Sequence, residues 1–210
     1  MKVLELFSGT KSVGKVCEEI GWEVLSVDID GRADITCDIL EWDYKQYDNN
    51  EFDVIWASPP CATFSALQYS NLGRMRKGGL FTLEMMESDM LSKGDPLVKK
   101  ALEIIEYFNP HYWFMENPAT GRLKDRPYMK DIPYYTVDYC MYALWGYRKR
   151  TRIWTNRTDW TPRICDGKGT CGNMTGRRHN DDVSGTYTKR TSIDERYRIP
   201  PDLICSLFLD

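Results

Sequence analysis

The chain has 210 residues, of which 42% are hydrophobic and 28% are charged, as in an ordinary globular domain with a sizeable core. The net charge of −3 gives no global sign of nucleic-acid binding. No apolar run approaches the roughly 20 residues that cross a bilayer, which excludes a membrane-spanning protein. Polar residues interrupt the N-terminus too early for a signal peptide. We therefore expect an intracellular, cytoplasmic protein that is not secreted and binds no membrane.

Short apolar runs alternate with helical patterns in the first half of the chain, which is typical of a parallel sheet with crossover helices. Strands are predicted over 3–7, 23–28 and 52–57, and a helix over about 12–20 that ends at Gly21. Pro59 and Pro60 then begin a long irregular stretch, with some helix inside it, that runs to about Gly94.

A helix is predicted from Pro96 to about Phe108, and three further strands follow over 112–115, 134–139 and 150–155. The predicted fold class is therefore α/β, with a mostly parallel, twisted sheet and helices on both faces. Between about 156 and 191 aliphatic residues are scarce. We accordingly divide the chain into a main domain (1–156), a small polar and basic insert (157–191) and a C-terminal segment (192–210) that returns to the main domain.

Polar motifs follow the predicted strands, at the sheet edge where open parallel sheets bind ligands. In the first motif, Phe7-Ser8-Gly9-Thr10, the chain turns into a helix N-terminus, whose free amides can bind a ligand. Asp28 ends the second strand, where acidic residues accept hydrogen bonds from a ribose diol. Both features also occur in many α/β domains for structural reasons alone.

Three more motifs are predicted to reach the same edge. Ser58-Pro59-Pro60-Cys61 holds a thiol on a stiff turn, and Glu116-Asn117-Pro118 delivers a carboxylate. Arg148, Arg150 and Arg152 alternate, so they would share one face of a strand. In the structural alternative, Cys61 is a small loop residue, Glu116 caps a helix, and the arginines lie on a solvated edge strand.

In this order, the motifs resemble those of the cytosine-5 DNA methyltransferase family: a Phe-x-Gly turn, an acidic ribose-binding residue, Pro-Cys followed by Phe-Ser, Glu-Asn, and a final Arg-x-Arg. The resemblance covers residues 3 to about 156, with a weaker echo at Ile199-Pro200-Pro201. Glu-Asn-Pro-x-x-Gly-x-Leu and Tyr-Arg-Lys-Arg-Thr-x-Ile-Trp-Thr-Asn are similar to compact methylases of phages and large DNA viruses, for which the location would be the host cell. The resemblance implies a Rossmann-like methyltransferase fold that uses S-adenosylmethionine to methylate carbon 5 of cytosine in DNA.

The resemblance also implies site residues. Asp28 would hold the ribose of the cofactor, and Asp38 with Ile39 would face its adenine. The cofactor-binding set is Phe7, Ser8, Gly9, Thr10, Asp28, Ile29, Asp38, Ile39, Ser58 and Pro59. The catalytic set is Pro60, Cys61, Glu116, Asn117, Arg150 and Arg152.

The chemistry gives a reason for these residue types. Carbon 5 of cytosine is a poor nucleophile, but attack of the Cys61 thiolate on carbon 6 turns the ring into a reactive enamine. Glu116 would bind the N3 edge of the base and stabilise charge there. The arginines would support the base and favour the thiolate. In a duplex the cytosine must first be flipped out.

The sequence departs from the family pattern in three places. Lys11 stands where the family usually has a second glycine, and Arg196-Tyr197 replaces Gly-Asn near the C-terminus. The insert is also far too short for the usual target-recognition domain. Sequence selectivity is therefore low, resides in the insert, or depends on a protein partner.

Local positive charge is the predicted means of holding DNA phosphates, with ordinary solvated loops as the alternative. The insert has three more lysines and arginines than aspartates. Its basic residues are Arg157, Arg163, Lys168, Arg177, Arg178, Lys189 and Arg190. Arg74, Arg76 and Lys77 form a second basic cluster in the stretch after Cys61.

Cysteines and a histidine in and near the insert predict a structural zinc site that replaces a core. The candidate ligands are Cys140, Cys165, Cys171 and His179. Their spacing is not the tight Cys-x-x-Cys of zinc ribbons, so free thiols and a solvent-facing histidine are the alternative. With no export signal, we expect reduced thiols rather than disulfides among the seven cysteines.

The sequence leaves two other interpretations open. The same chemistry could act on RNA, or use an altered cofactor or base. The chain could also be a catalytically idle nucleic-acid-binding protein that keeps the fold. Retention of Cys61, Glu116 and Arg152 argues against the idle protein, because such a site needs none of the three roles.

Overall fold

The computed structural model describes residues 1–76, 79–181 and 192–209. The last part of the predicted insert, residues 182–191, lies outside the described residues. So do Lys77, Lys189 and Arg190 of the two basic clusters.

Eleven strands and five α-helices form the described part of the chain. The strands are β1 (Lys2–Leu6), β2 (Glu23–Asp28), β3 (Ile35–Thr36), β4 (Val54–Ala57), β5 (Met75–Arg76), β6 (Gly79–Leu80), β7 (Tyr112–Pro118), β8 (Tyr134–Asp138), β9 (Arg150–Thr155), β10 (Met174–Thr175) and β11 (Arg178–His179). The helices are α1 (Ser12–Glu19), α2 (Leu83–Asp89), α3 (Asp95–Phe108), α4 (Ile193–Tyr197) and α5 (Pro201–Phe208).

One seven-stranded sheet organises the molecule, in the order β3-β2-β1-β4-β7-β9-β8. The first five of these strands are parallel, and β9 is inserted antiparallel between β7 and β8. Strand order reverses beside β1, which pairs with both β2 and β4, so the loops after β1 and β4 diverge at a topological switch point. The predicted mostly parallel α/β fold is confirmed.

The central strands carry apolar side chains on both faces of the sheet, so both faces need to be covered. On one face Leu4, Leu6 and Ile55 pack against α3. On the other, Val54 and Trp56 pack in a cluster that includes residues of α1 and α5. The predicted helices on both faces are therefore present.

The predicted irregular stretch contains helix, as expected, and it is helical from Leu83 to Gly94. The Thr82 hydroxyl accepts the Met85 N–H at 3.2 Å and caps α2, which then passes through a π-helical turn at Met90–Gly94 into α3. Gly94 does not end a helix. A Cβ there would lie 2.7 Å from Cζ of Phe64, so glycine is needed for close packing.

The C-terminal residues return to the sheet after the insert. Leu203, Ile204 and Leu207 of α5 are fully buried beside α1. The ring of Phe208 stacks on Trp22 with centroids 5.8 Å apart. No helix in the described part of the chain is both long and apolar enough to pass through a bilayer.

Candidate active site

The turn from β1 into α1 has an unusual backbone. Phe7, Gly9 and Lys11 all have positive φ angles, of 57°, 47° and 55°. This path brings the Gly9 N–H to Oδ2 of Asp28 at 2.8 Å, while Oδ1 of Asp28 accepts the Asp30 N–H at 2.8 Å. The structure thus brings the predicted glycine turn and the predicted ribose-binding acid together. Such backbone conformations in non-glycine residues are costly and cluster at functional sites.

Polar and open features line this turn. The Ser8 hydroxyl is buried and has no hydrogen-bond partner among the described residues. A Cβ on Gly9 would meet nothing within 4 Å in the part of the chain that the structure describes. Thr10 is less available, because its hydroxyl lies 2.7 Å from that of Ser12. A ligand could therefore reach the backbone at Gly9 and satisfy Ser8.

The remaining residues predicted to bind the cofactor differ in exposure. Ile29 is 76% exposed, whereas the Ile39 side chain lies in the core cluster with α3. Asp38 is exposed, and its carboxylate accepts the Leu40 N–H at 2.9 Å. Ser58 accepts a hydrogen bond from the Trp56 indole at 2.8 Å, and Pro59 is buried.

Glu5 is a buried carboxylate of this region that the sequence reasoning missed. Its two oxygens accept the N–H groups of Val13 and Gly14 at 3.1 and 2.9 Å, so it fixes the start of α1. Burial raises the pKa of Glu5 to about 7, against the two N–H groups that lower it. A glutamate inside an otherwise apolar strand was the signal that could have revealed it.

The loop after β4 carries Cys61, which is half-buried. The Asn117 amide donates to the Pro59 carbonyl at 2.9 Å, and Phe64 donates its N–H to the Cys61 carbonyl at 3.1 Å. Phe64 itself is completely buried and anchors the loop in the core. The Ser58 N–H donates to the Leu6 carbonyl at 3.1 Å, which ties this loop to the end of β1. Pro60 is exposed on the same turn.

Glu116 projects from β7 into the same site and is only 6% exposed. Its Oε1 accepts the Tyr139 hydroxyl at 3.0 Å and lies 3.5 Å from Nζ of Lys149. Burial raises the pKa of the Cys61 thiol, the charge of Glu116 raises it further, and the Lys149 ammonium opposes both. Cys61, Glu116 and Lys149 therefore interact electrostatically. Burial also raises the pKa of Tyr139.

The cation that lowers the pKa of the Cys61 thiol is Lys149, and the expected influence of arginines on the thiolate stays a prediction. Residues 149, 151 and 153 share the sheet face of Glu116, because Ile153 pairs with Glu116 across the ladder. Arg148 and Arg150 instead donate to the Asp138 carboxylate at 2.9 and 2.8 Å, and these charge-assisted bonds help to lower the pKa of Asp138. Lys149 is thus a cation that acts on the Cys61 thiol. The alternation of side chains along the predicted strand was the signal that could have revealed it.

Arg152 lies on the opposite face of β9 from Ile153. It pairs with Asn117, the residue that holds the Cys61 loop, and its guanidinium stacks 3.9 Å from the Tyr134 ring centroid. Its buried Nε has no hydrogen-bond partner within the described ranges. The roles of Arg150 and Arg152 in the reaction stay predictions.

The predicted zinc ligands come together. The ligand atoms of Cys140, Cys165, Cys171 and His179 all lie within 4.8 Å of one another. Cys140 lies in the turn after the edge strand β8, Cys165 and Cys171 lie between β9 and β10, and His179 lies in β11.

The basic clusters are only partly exposed. Arg177 and Arg178 are exposed on the β10–β11 hairpin, and Arg74 and Arg76 are exposed around β5. Arg157 is buried, where it donates to the Leu207 carbonyl at 2.5 Å and to Asp159 at 2.9 Å. The prediction that Arg157 offers charge to DNA is therefore wrong, because that guanidinium fastens α5 to the end of β9.

The chain was compared with known proteins. No family model matches it. A curated relative from Frog virus 3 (isolate Goorha), named "Probable DNA (cytosine-5)-methyltransferase", is 46% identical over 217 residues, which cover 99% of this chain and 98% of the relative.

Two solved structures share the fold. The Entamoeba histolytica methyltransferase EhMeth matches with a TM-score of 0.52 at 14% identity, over 91% of this chain and 61% of that one. A candidate DNA modification methyltransferase encoded in an Escherichia coli prophage matches with a TM-score of 0.51 at 15% identity, over 79% of this chain and 52% of that one. The chain thus spans little more than half the length of these two proteins, and at such identities the likeness shows the fold alone.

The two kinds of comparison agree with the motif order. The fold predicted from that order is confirmed by the solved structures. The family resemblance is confirmed by a relative that matches nearly end to end. The chain belongs to the DNA (cytosine-5)-methyltransferase family.

Proposed function

We propose that this chain transfers a methyl group from S-adenosylmethionine to carbon 5 of cytosine in DNA, through a transient bond between Cys61 and carbon 6. The observation that carries the proposal is that Glu116 and Lys149 act on the thiol of Cys61, whose loop is tied to the end of β1 by the bond from Ser58 N–H to the Leu6 carbonyl. A nucleophile, a carboxyl group and a cation then share one edge of the sheet with a nucleotide-type turn. DNA is proposed as the substrate because the viral relative bears that name.

The residues around the β1 turn fit the cofactor. The buried Ser8 hydroxyl lacks a partner among the described residues, and the half-buried Asp28 carboxylate has lone pairs to spare beyond its two backbone bonds. Asp28 would accept the ribose hydroxyls, and Ser8 with the Gly9 backbone would contact the rest of the molecule. When bound, S-adenosylmethionine supplies a methyl group attached to a positively charged sulfur, which a carbon nucleophile can take.

Cys61 begins the reaction. Because burial and Glu116 raise its pKa, the resting thiol is mostly protonated, and Lys149 favours its ionisation. The thiolate forms a bond to carbon 6 of the flipped cytosine, and the carbon 5–carbon 6 π electrons move to carbon 5. Glu116 holds the N3 edge, where it can donate or share a proton as negative charge develops.

The second half of the reaction regenerates the enzyme. Carbon 5, now nucleophilic, would form a bond to the methyl group as the methyl–sulfur bond breaks and leaves its electron pair on the sulfur. A base then removes the carbon 5 proton, the electron pair restores the carbon 5–carbon 6 double bond, and the bond from carbon 6 to Cys61 breaks to release the thiolate. Tyr139 and Lys149 keep Glu116 in place throughout, since both contact Oε1.

DNA would be held by exposed basic side chains rather than by a separate recognition domain. Arg74 and Arg76 lie in the stretch after Cys61, and Arg177 and Arg178 lie on the insert hairpin. Such side chains neutralise phosphates without reading bases. Target selection would then come from the insert (157–191) or from a protein partner, with residues 1–156 and 192–210 forming the catalytic domain.

The proposal is tested by nucleoside analysis after incubation with methyl-labelled S-adenosylmethionine. Duplex DNA, single-stranded DNA and transfer RNA are offered in parallel, to wild type, to Cys61→Ser and to the matched control Cys37→Ser. We expect label in 5-methyldeoxycytidine with wild type and the control, and none with Cys61→Ser. Label in the RNA arm alone would overturn DNA as the substrate, and full activity of Cys61→Ser would overturn the mechanism.

A further inference from the structure

Three thiols and one imidazole meet at a point that the methyl-transfer site does not use. The sulfurs of Cys165 and Cys171 lie 3.7 and 3.5 Å from Nε2 of His179, and with the Cys140 sulfur all four atoms fall within 4.8 Å of one another. Tetrahedral zinc, with sulfurs at about 2.3 Å and nitrogen at about 2.0 Å, separates its ligand atoms by roughly 3.4 to 3.8 Å. Both sulfur–nitrogen distances match that geometry.

This part of the chain has almost no other core. Cys140, Cys165 and Cys171 form their own buried cluster, and Met141 and Met174 are the partly buried hydrophobic residues that pack on it within the described ranges. Nearby apolar side chains face solvent instead, with Leu144 81% and Ile164 51% exposed. Segments this polar do not bury enough apolar surface to order themselves, so another source of binding energy is needed.

The surroundings support the ligands as those of a metal centre do. The Gly167 N–H donates to the Cys165 sulfur at 3.4 Å, which stabilises a thiolate. The buried Asn173 amide donates to the carbonyls of Cys140 and Cys171 at 2.8 and 3.0 Å, so it fixes the backbone of two ligand residues. A disulfide between two of the sulfurs would leave the third thiol and the imidazole crowded together without a function.

We propose that Cys140, Cys165, Cys171 and His179 bind one structural zinc ion, which fastens the insert to the edge of the main sheet. Three sulfurs and one nitrogen in a closed tetrahedral set are the ligands that zinc prefers in structural sites. All four coordination positions come from the protein, so the ion has no open position for substrate. This proposal does not rest on methyl transfer.

Asp138 connects the zinc centre to the sheet. Its Oδ2 accepts the Cys165 N–H at 2.9 Å, and the same carboxylate pairs with Arg148 and Arg150. Asp138 is completely buried, whereas the side chains of Arg148 and Arg150 are 34% and 41% exposed. Zinc therefore orders the insert and, through Asp138, also the start of β9, which follows Lys149 of the active site.

Metal analysis of the purified full chain is the direct test. We expect about one zinc per chain in the wild type and in the control Cys205→Ala on α5, and loss of most of it in Cys171→Ser and His179→Ala. Cobalt replacement in the wild type should give the intense visible bands of a tetrahedral, thiolate-rich site, a readout that needs no variant to fold. Removing the zinc should speed amide exchange around Cys140, from 163 to 181 and at the start of β9, with β1 and β4 unchanged.

Two results would overturn zinc binding by these four residues. One is a folded wild-type chain, with its cysteines reduced, that holds no zinc and takes up no cobalt. The other is unchanged zinc content in both Cys171→Ser and His179→Ala. If zinc is present but its removal leaves amide exchange of the insert unaltered, the structural role is overturned.

Discussion

The charge beside Cys61 comes from Lys149, whose ammonium lies 3.5 Å from Glu116 and 4.8 Å from the centre of the Tyr139 ring. Its side chain is 13% exposed, and Nζ also donates to the Arg196 carbonyl at 3.2 Å. Little solvent screens this cation, so its effect on the thiol is stronger than that of a surface lysine. Lys149 also compensates the negative charge that Glu116 brings near a thiolate.

Lys149→Met should raise the pKa of Cys61, because burial and the Glu116 charge then act unopposed by the ammonium. Below the thiol pKa, each unit gained lowers the thiolate fraction about tenfold, so the rate at neutral pH should fall and the pH–rate profile should move upward. The pH dependence of single-turnover methyl transfer measures this. Lys149→Arg, which keeps the charge, is the matched control, and an unshifted profile in Lys149→Met would remove this lysine from the chemistry.

Individual residues also show where sequence reasoning fails. The structure brings Cys61, Glu116 and Asn117 together because Cys61 follows β4 and the other two lie near the end of its parallel neighbour β7. Lys149 and Asp138 were missed, since their contacts depend on which face of β9 pairs with which neighbour. The sequence cannot show that Arg157 is buried, because its acceptor, the Leu207 carbonyl, lies fifty positions away in the chain. Long-range partners of this kind leave no local signal.

The helical segment from α2 through the π-helical turn to α3 positions the Cys61 loop through one close contact. Gly94 lies against Phe64, whose carbonyl also accepts the Arg122 N–H at 2.7 Å. Phe64 is thus held from two sides, three residues after Cys61. Sequence alone does not show that this glycine is needed for packing, because a packing requirement and a backbone requirement select the same residue.

Gly94→Ala should displace the Cys61 loop. The new methyl group would lie 2.5 Å from Oγ1 of Thr63 and 2.7 Å from Cζ of Phe64, and overpacking of this kind costs about 1 to 3 kcal/mol of stability. We expect a lower melting temperature and a larger loss of methyl transfer than of cofactor binding. Gly31→Ala is the control, since a Cβ there meets nothing within 4 Å among the described residues. Equal activity of the two variants would contradict the positioning role.

The sequence pattern predicted the bounds of β2 and β9 correctly. It did not predict the order of the strands in the sheet. The sequence between β7 and β9 looks the same whether the last strands run parallel or antiparallel. The insertion of β9 between β7 and β8 is set by how these strands close the sheet edge. Periodicity in the sequence predicts where helices and strands lie, whereas the pairing of strands is set by tertiary contacts.

At the scale of the whole molecule, the chain combines a doubly wound sheet with a small insert in place of a large recognition domain. The sheet supplies the β1 turn and the Cys61 loop, which a hydrogen bond from the Ser58 N–H to the Leu6 carbonyl holds together. The insert brings the Cys140 cluster against the far edge, next to β8 and β9. Arginines on both the β5–β6 hairpin and the insert leave positive charge exposed, although the net charge is −3.

Covalent trapping tests whether Cys61 forms a bond to carbon 6 of cytosine. In DNA whose cytosines are replaced by 5-fluorocytosine, carbon 5 cannot lose a proton after methylation, so the bond to the enzyme persists. With S-adenosylmethionine present, we predict an adduct that survives denaturing electrophoresis, that maps to the peptide containing Cys61, and that Cys61→Ser does not form. An enzyme that methylates ordinary cytosine in DNA but gives no adduct, or an adduct at another residue, would contradict the account.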